Sequence, residues 1–148
     1  MKPKKQSSSW YIAATHYLTS GFAIPLVVNI LAQLIIAPFL IRTGSPVIVF
    51  LGLLAVSLVA IWFGVIYSAN YLKKTYVIQN PVSVIKLSTA YLIVLLGIFF
   101  TFSIITQEIT ALSVTFLSVN FIAVVTTFYL ASRRYVTGTT AEPYPSSQ

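Results

Sequence analysis

Four long apolar stretches, separated by short polar or basic breaks, set the pattern of this chain. The first stretch is mixed at its start. Trp10, Ala14, Tyr17, Leu18, Gly21 and Phe22 recur at helical spacing, with Thr15, His16, Thr19 and Ser20 largely opposite. This is an amphipathic pattern with an aromatic face, the kind that lies along a membrane interface. One helix over residues 10–41 would measure about 48 Å at 1.5 Å per residue, against roughly 30 Å of hydrocarbon. The pattern therefore predicts an interfacial helix over 8–20 and a first transmembrane span over 24–41. Pro25 then falls in the first turn of that span, where its missing N–H removes no helix bond. A single long helix kinked near Pro25 is the other division that the pattern allows.

The remaining breaks are sharper. Arg42-Thr43-Gly44-Ser45-Pro46 reads as a turn in which Gly44 takes a left-handed conformation, Ser45 caps and Pro46 opens the next helix. The second span covers 46–72, carries Tyr67 and Tyr71 in its last turns and ends at Lys73-Lys74. Asn80 and Pro81 are a cap and a first helical residue for the third helix, whose membrane-crossing part is 85–106. A turn containing Gln107 and Glu108 leads to the fourth span, 109–130, closed by Arg133-Arg134. Residues 1–8 and 135–148 are too basic or polar to pack and read as disordered. The expected fold is all-α: a polytopic integral membrane protein of four transmembrane helices, preceded by a short amphipathic interfacial helix, in one domain over 9–134.

Composition agrees. Of 148 residues, 57% are hydrophobic and only 7% are charged, where a soluble domain has about a quarter charged. Such a chain cannot cover a water-facing surface. There is no cysteine, which removes disulfides, thiolate nucleophiles and Cys-ligated metal clusters together. Lys2, Lys4 and Lys5 resemble the basic start of a signal peptide, but the apolar stretch behind them is long and contains Asn29 and Gln33, so it reads as a retained helix.

The net charge is +7, yet it is no nucleic-acid signature, because the basic residues sit at the ends of apolar runs. Lys2, Lys4, Lys5, Lys73, Lys74, Lys86, Arg133 and Arg134 fall on one side of the expected membrane, and only Arg42 on the other. The positive-inside rule then predicts that both termini and the middle loop are cytoplasmic, in a cell (inner) membrane or another internal energy-type membrane. The lipid bilayer is the first partner implied. Anionic headgroups are expected at Lys2, Lys4, Lys5, Lys73, Lys74, Arg133 and Arg134, and other membrane subunits or further copies of the chain are the remaining partners.

Two features hint at an internal repeat. Tyr71-Leu72-Lys73-Lys74 followed by Tyr76-Val77 matches Tyr129-Leu130 followed by Arg133-Arg134-Tyr135-Val136. Ala60, Gly64 and Ser68 in the second span, and Ala123, Thr127 and Ala131 in the fourth, form stripes of small residues that let helices approach closely. Tyrosines and basic pairs end most spans, so the likeness is also what generic span ends produce. The clusters from Tyr71 to Val77 and from Tyr129 to Val136 resemble those that end spans two and four in the small, four-span GtrA-like family. That resemblance implies a role in moving lipid-linked sugars. This chain departs from the family pattern in lacking its Asn-Arg pair followed by Trp and Phe, and its glycine-rich opening of the first span.

Chemistry is sparse. The predicted spans hold no Asp, Glu, Lys, Arg or His in their interiors, which argues against proton-coupled transport and acid–base catalysis within the membrane. No catalytic, cofactor or metal residues stand out. His16, the only histidine, offers an axial ligand for a pigment in one reading; in the other, which the pattern favours, it is a polar residue on the exposed face of the interfacial helix. Asn29 and Gln33 share a helix face and, as amides in hydrocarbon, should turn towards other helices, with Ser57 and Asn120 as partners. That cluster is either interhelical glue, at about 1 kcal/mol per bond or less, or a polar track. Arg42 and Glu108 are a candidate pair at the outer surface. The function expected is that of a small non-enzymatic membrane component, an accessory subunit or assembly factor working through helix–helix contacts. The alternative is an oligomeric translocator or channel for a lipid-linked or neutral substrate.

Overall fold

The first helix starts at Ser9 and does not stop at residue 20. In the computed structural model, which describes residues 4–106 and 110–138, helix α1 (Ser9–Tyr17) runs into a π-helical segment, Leu18–Ala23, and from there directly into α2 (Ile24–Ile35). Pro25 supplies the reason. Inside a continuous helix it has no N–H for the carbonyl four residues back, and its ring crowds that carbonyl. The wider π turn just before it relieves the crowding. A π turn also inserts one residue, which rotates everything beyond it by about 100° relative to a regular helix. The faces that α1 and α2 bury are consequently offset, and each reaches a different neighbour. The expected interfacial segment is thus the first part of one long helical run rather than a separate element.

A second proline ends the run. The helix breaks at Ile36, two residues before Pro38, and resumes as α3 (Ala37–Ile41). The turn that follows is built as its sequence dictates. Gly44 has φ 69°, Ser45 Oγ accepts the Ile48 N–H at 3.5 Å, and Pro46 opens α4 (Pro46–Thr75). Asn80 Oδ1 accepts the Ser83 N–H at 3.0 Å, and Pro81 opens α5 (Pro81–Thr106). Helix α6 (Ala111–Thr137) is capped by Thr110, whose Oγ1 accepts the Ser113 N–H at 3.1 Å. It extends through residues 135–137, which the polar composition had assigned to the tail. Residues 139–148 lie outside the described residues.

Ser9–Ile35, Pro46–Thr75, Pro81–Thr106 and Ala111–Thr137 are each long and apolar enough to cross a membrane. The chain is an all-α, multi-pass integral membrane protein. α4 packs against both α2 and α6, while α5 packs against α1 and α6. The core lies towards the basic end of the bundle, around Ile61, Val65, Leu92, Val124, Phe128 and Ala131. A second cluster nearer that end joins Ile12, Ala13, Leu72, Tyr76 and Val84. Towards the other end the helices stay less covered: Ile98, Phe99, Phe102 and Ile105 of α5 are all exposed.

The described part of the N-terminal segment is tied down. The Lys5 N–H donates to the Thr75 carbonyl at 2.9 Å, and the Val77 N–H donates to the Lys5 carbonyl at 3.1 Å. This parallel bridge places Lys5 beside Tyr76, against the α4–α5 connection. The basic segment expected to be disordered is therefore held by two backbone bonds at this point.

Candidate functional site

The expectation that the interiors of the spans hold no Asp, Glu, Lys, Arg or His fails at one residue of the first helix. His16 lies within the membrane-crossing run Ser9–Ile35 and is fully buried, with 0% of its surface exposed. Its Nδ1 is 2.9 Å from Ser68 Oγ on α4, and its Nε2 is 3.0 Å from Ser132 Oγ on α6. One imidazole thus links three helices. A neutral ring has one donor and one acceptor nitrogen, and each hydroxyl can serve as either, so both tautomers satisfy the pair. Ser20 Oγ donates to the His16 carbonyl one turn later, and the Phe128 ring tilts against the imidazole at 5.5 Å between centroids. Both ring nitrogens are engaged by serines, which leaves neither for a pigment or metal. The described residues include no group of three or more potential metal-ligating His, Cys, Asp or Glu side chains.

The physical reason for the inversion is the solvent. An amphipathic helix at an interface shows its polar face to water, whereas one inside hydrocarbon turns that face into the protein. Here His16 and Ser20 point inward, while Trp10 and Leu18 from the aromatic face are 60% and 54% exposed. The periodicity holds in the structure, but the face that carries His16 and Ser20 meets protein rather than water.

The amide cluster is divided. Ser57 Oγ donates to Asn29 Oδ1 at 2.7 Å, and Asn29 Nδ2 donates to the Pro25 carbonyl at 2.9 Å. This pair joins α2 to α4 as interhelical glue. Ser57→Ala should cost about 1 kcal/mol or less, read as a small fall in the melting temperature of the detergent-solubilised protein; a larger loss would mean that the pair does more than join two helices. Gln33 is exposed and makes no hydrogen bond within the described residues. Asn120 is half-buried on α6 and does not join Asn29 either.

The small-residue stripes meet different neighbours. Ala60, Gly64 and Ser68 are buried on α4, and an added Cβ at Gly64 would sit 3.0 Å from the Ser20 carbonyl oxygen and 3.2 Å from Ser20 Cα. That stripe receives the π segment of the first helix. On α6, Ala131 is buried, while Ala123 and Thr127 are only half-buried. Arg42 lies over the Phe39 ring at 5.8 Å; its candidate partner Glu108 is outside the described residues. A groove of about 390 Å³ between α5 and α6 is lined by Gly97, Phe100, Thr101, Ser118, Phe121 and Ile122, and a Cβ at Gly97 would meet nothing within 4 Å.

No protein-family model, curated protein or solved structure matches the chain. The likeness to the GtrA-like family accordingly rests on the two aromatic–basic clusters alone. The class that fold and site define is a multi-pass, helical membrane protein with a buried histidine–serine link between three helices.

Proposed function

We propose that the chain is a non-enzymatic membrane subunit that works by binding another transmembrane segment. The observation that carries this reading is Gln33. It lies about 13 Å along the helix axis from Arg42, at 1.5 Å per residue, and so deep within the hydrocarbon. Its amide is exposed and has no partner within the described residues. An amide left unpaired at that depth costs several kcal/mol, whereas a partner helix offering a donor or acceptor removes the cost. The neighbouring amide shows the contrast, since Asn29 is satisfied inside the chain by Ser57 and the Pro25 carbonyl. The exposed α5 face around Gly97 adds room for a close helix.

The test is purification of the tagged protein in gentle detergent, with mass spectrometry of whatever accompanies it, for the native chain and for Gln33→Leu. The native chain should carry a stoichiometric transmembrane partner, either another protein or a further copy. Gln33→Leu should lose that partner while keeping its own melting temperature. A native chain that purifies alone, or a variant that keeps the same companion, would sink the proposal.

A further inference from the structure

We infer that the basic end of the bundle carries a built site for the phosphate headgroup of an anionic phospholipid, formed where the N-terminal segment bridges to the α4–α5 connection. The inference rests on the membrane placement and the bridge, not on the subunit reading above. Lysines at the end of a span are ordinary, and Lys73 and Lys74 in the last turn of α4 are favoured there by the helix dipole. The bridge is not ordinary. The backbone bonds from Lys5 N–H to the Thr75 carbonyl at 2.9 Å, and from Val77 N–H to the Lys5 carbonyl at 3.1 Å, bring a second lysine pair, Lys4 and Lys5, to the end of α4. Tyr76, at the centre of the bridge, is 8% exposed and packed with Ile12, Leu72 and Val84, so the bridge is anchored in the core. Lys4, Lys5 and Lys74 are exposed and Lys73 is half-buried.

Four cations are gathered there without a carboxylate among the described residues. The chain has only two acidic residues, Glu108 and Glu142, and both lie outside them. Like charges on segments joined in this way repel one another, and an anion between them relieves the repulsion. The anion with access to this place is the headgroup phosphate of the adjacent leaflet, because the site sits at the end of a membrane-crossing helix. Each lysine near an anionic surface contributes about 1 kcal/mol, or roughly a five-fold change in binding.

The experiment is native mass spectrometry of the full chain released from mixed micelles of phosphatidylglycerol and phosphatidylcholine. The native protein should retain phosphatidylglycerol selectively. Lys73→Gln with Lys74→Gln, and Lys4→Gln with Lys5→Gln, should each lower that retention by at least about five-fold. Val77→Pro is the decisive variant, because it keeps every charge and removes the N–H that bonds to the Lys5 carbonyl; it too should lose the selectivity. Arg133→Gln with Arg134→Gln, which lie outside the bridge, should retain it. Helical content by circular dichroism separates a lost site from a lost fold, and the lysine pairs keep the test open if Val77→Pro does not fold. Equal losses from the arginine and lysine pairs would mean that net charge alone attracts the lipid, and would overturn the site. So would full retention by folded Val77→Pro, displacement of the lipid by inorganic phosphate, or a gain in retention on Glu142→Gln large enough to make the chain's own tail the occupant.

Discussion

Replacing His16 with alanine lowers the stability of the detergent-solubilised protein by about 2–4 kcal/mol, through a cavity in the bundle and the loss of two hydrogen bonds. The larger part comes from what stays behind. Ser68 and Ser132 are both fully buried, and without the imidazole each hydroxyl loses the partner at 2.9 or 3.0 Å that the structure gives it. An orphaned buried hydroxyl costs more than its hydrogen bond had contributed. The diagnostic experiment is therefore a cycle rather than one variant. His16→Leu should be clearly destabilising on its own, while His16→Leu combined with Ser68→Ala and Ser132→Ala should recover a good part of the loss, because removing both sides of a buried polar contact can be nearly neutral. Thermal unfolding in one detergent measures all the variants. If the triple variant is as unstable as the sum of its parts, the imidazole acts by volume alone and the three-helix link has no energetic meaning.

The sequence pattern carries the spans and two of the helix starts, because those depend on local chemistry. Gly44, Ser45 and Pro46, and likewise Asn80 and Pro81, determine their turns within a few residues, and the structure builds both as the residue types require. The first helix was less legible, for a reason that also lies in a few residues. Pro25 marks a helix start when nothing helical precedes it, but here the chain was already helical, and a π segment absorbed the proline. Periodicity found both faces of α1 but could not say which face met lipid. The missing signal was the company of His16: Ile12, Ala13 and Ser20 lie one turn away on the same side, and all three are buried. A face of small and polar residues within an aromatic helix is what another helix can pack against in a membrane. Of the amide cluster, the Asn29–Ser57 bond was legible from chemistry alone, since an amide in hydrocarbon needs a partner. The exposure of Gln33 was not, because it lies one turn beyond Asn29 on the same helix face, and spacing alone does not say how far along that face α4 covers α2.

Gly64→Leu is the most damaging substitution expected on α4, and its comparison with Gly97→Leu separates the inside of the bundle from its outside. An added Cβ at Gly64 lies 3.0 Å from the Ser20 carbonyl oxygen and 3.2 Å from Ser20 Cα. Both are backbone atoms of the π segment, so no side chain can swing aside to make room. Overpacking of this kind costs about 1–3 kcal/mol, occasionally more, and a whole leucine side chain against a neighbouring backbone belongs at or beyond the upper end. The wedge would also push the first helix away from α4 next to the turn that carries His16, so the links from His16 to Ser68 and Ser132 would open with it. The loss should therefore exceed that of His16→Ala, and Gly64→Ala should already be measurably destabilising despite alanine's better helix propensity. At Gly97 a Cβ meets nothing within 4 Å, and Gly97→Leu should leave the melting temperature unchanged or raise it slightly through helix propensity. Any harm from Gly97→Leu should instead show in the mass of the complex purified in gentle detergent, where the leucine would block close approach of a partner helix. Equal stability losses at the two glycines would mean that α5 packs within the chain where the structure leaves it open; no loss at Gly64 would mean that the first helix does not rest on α4.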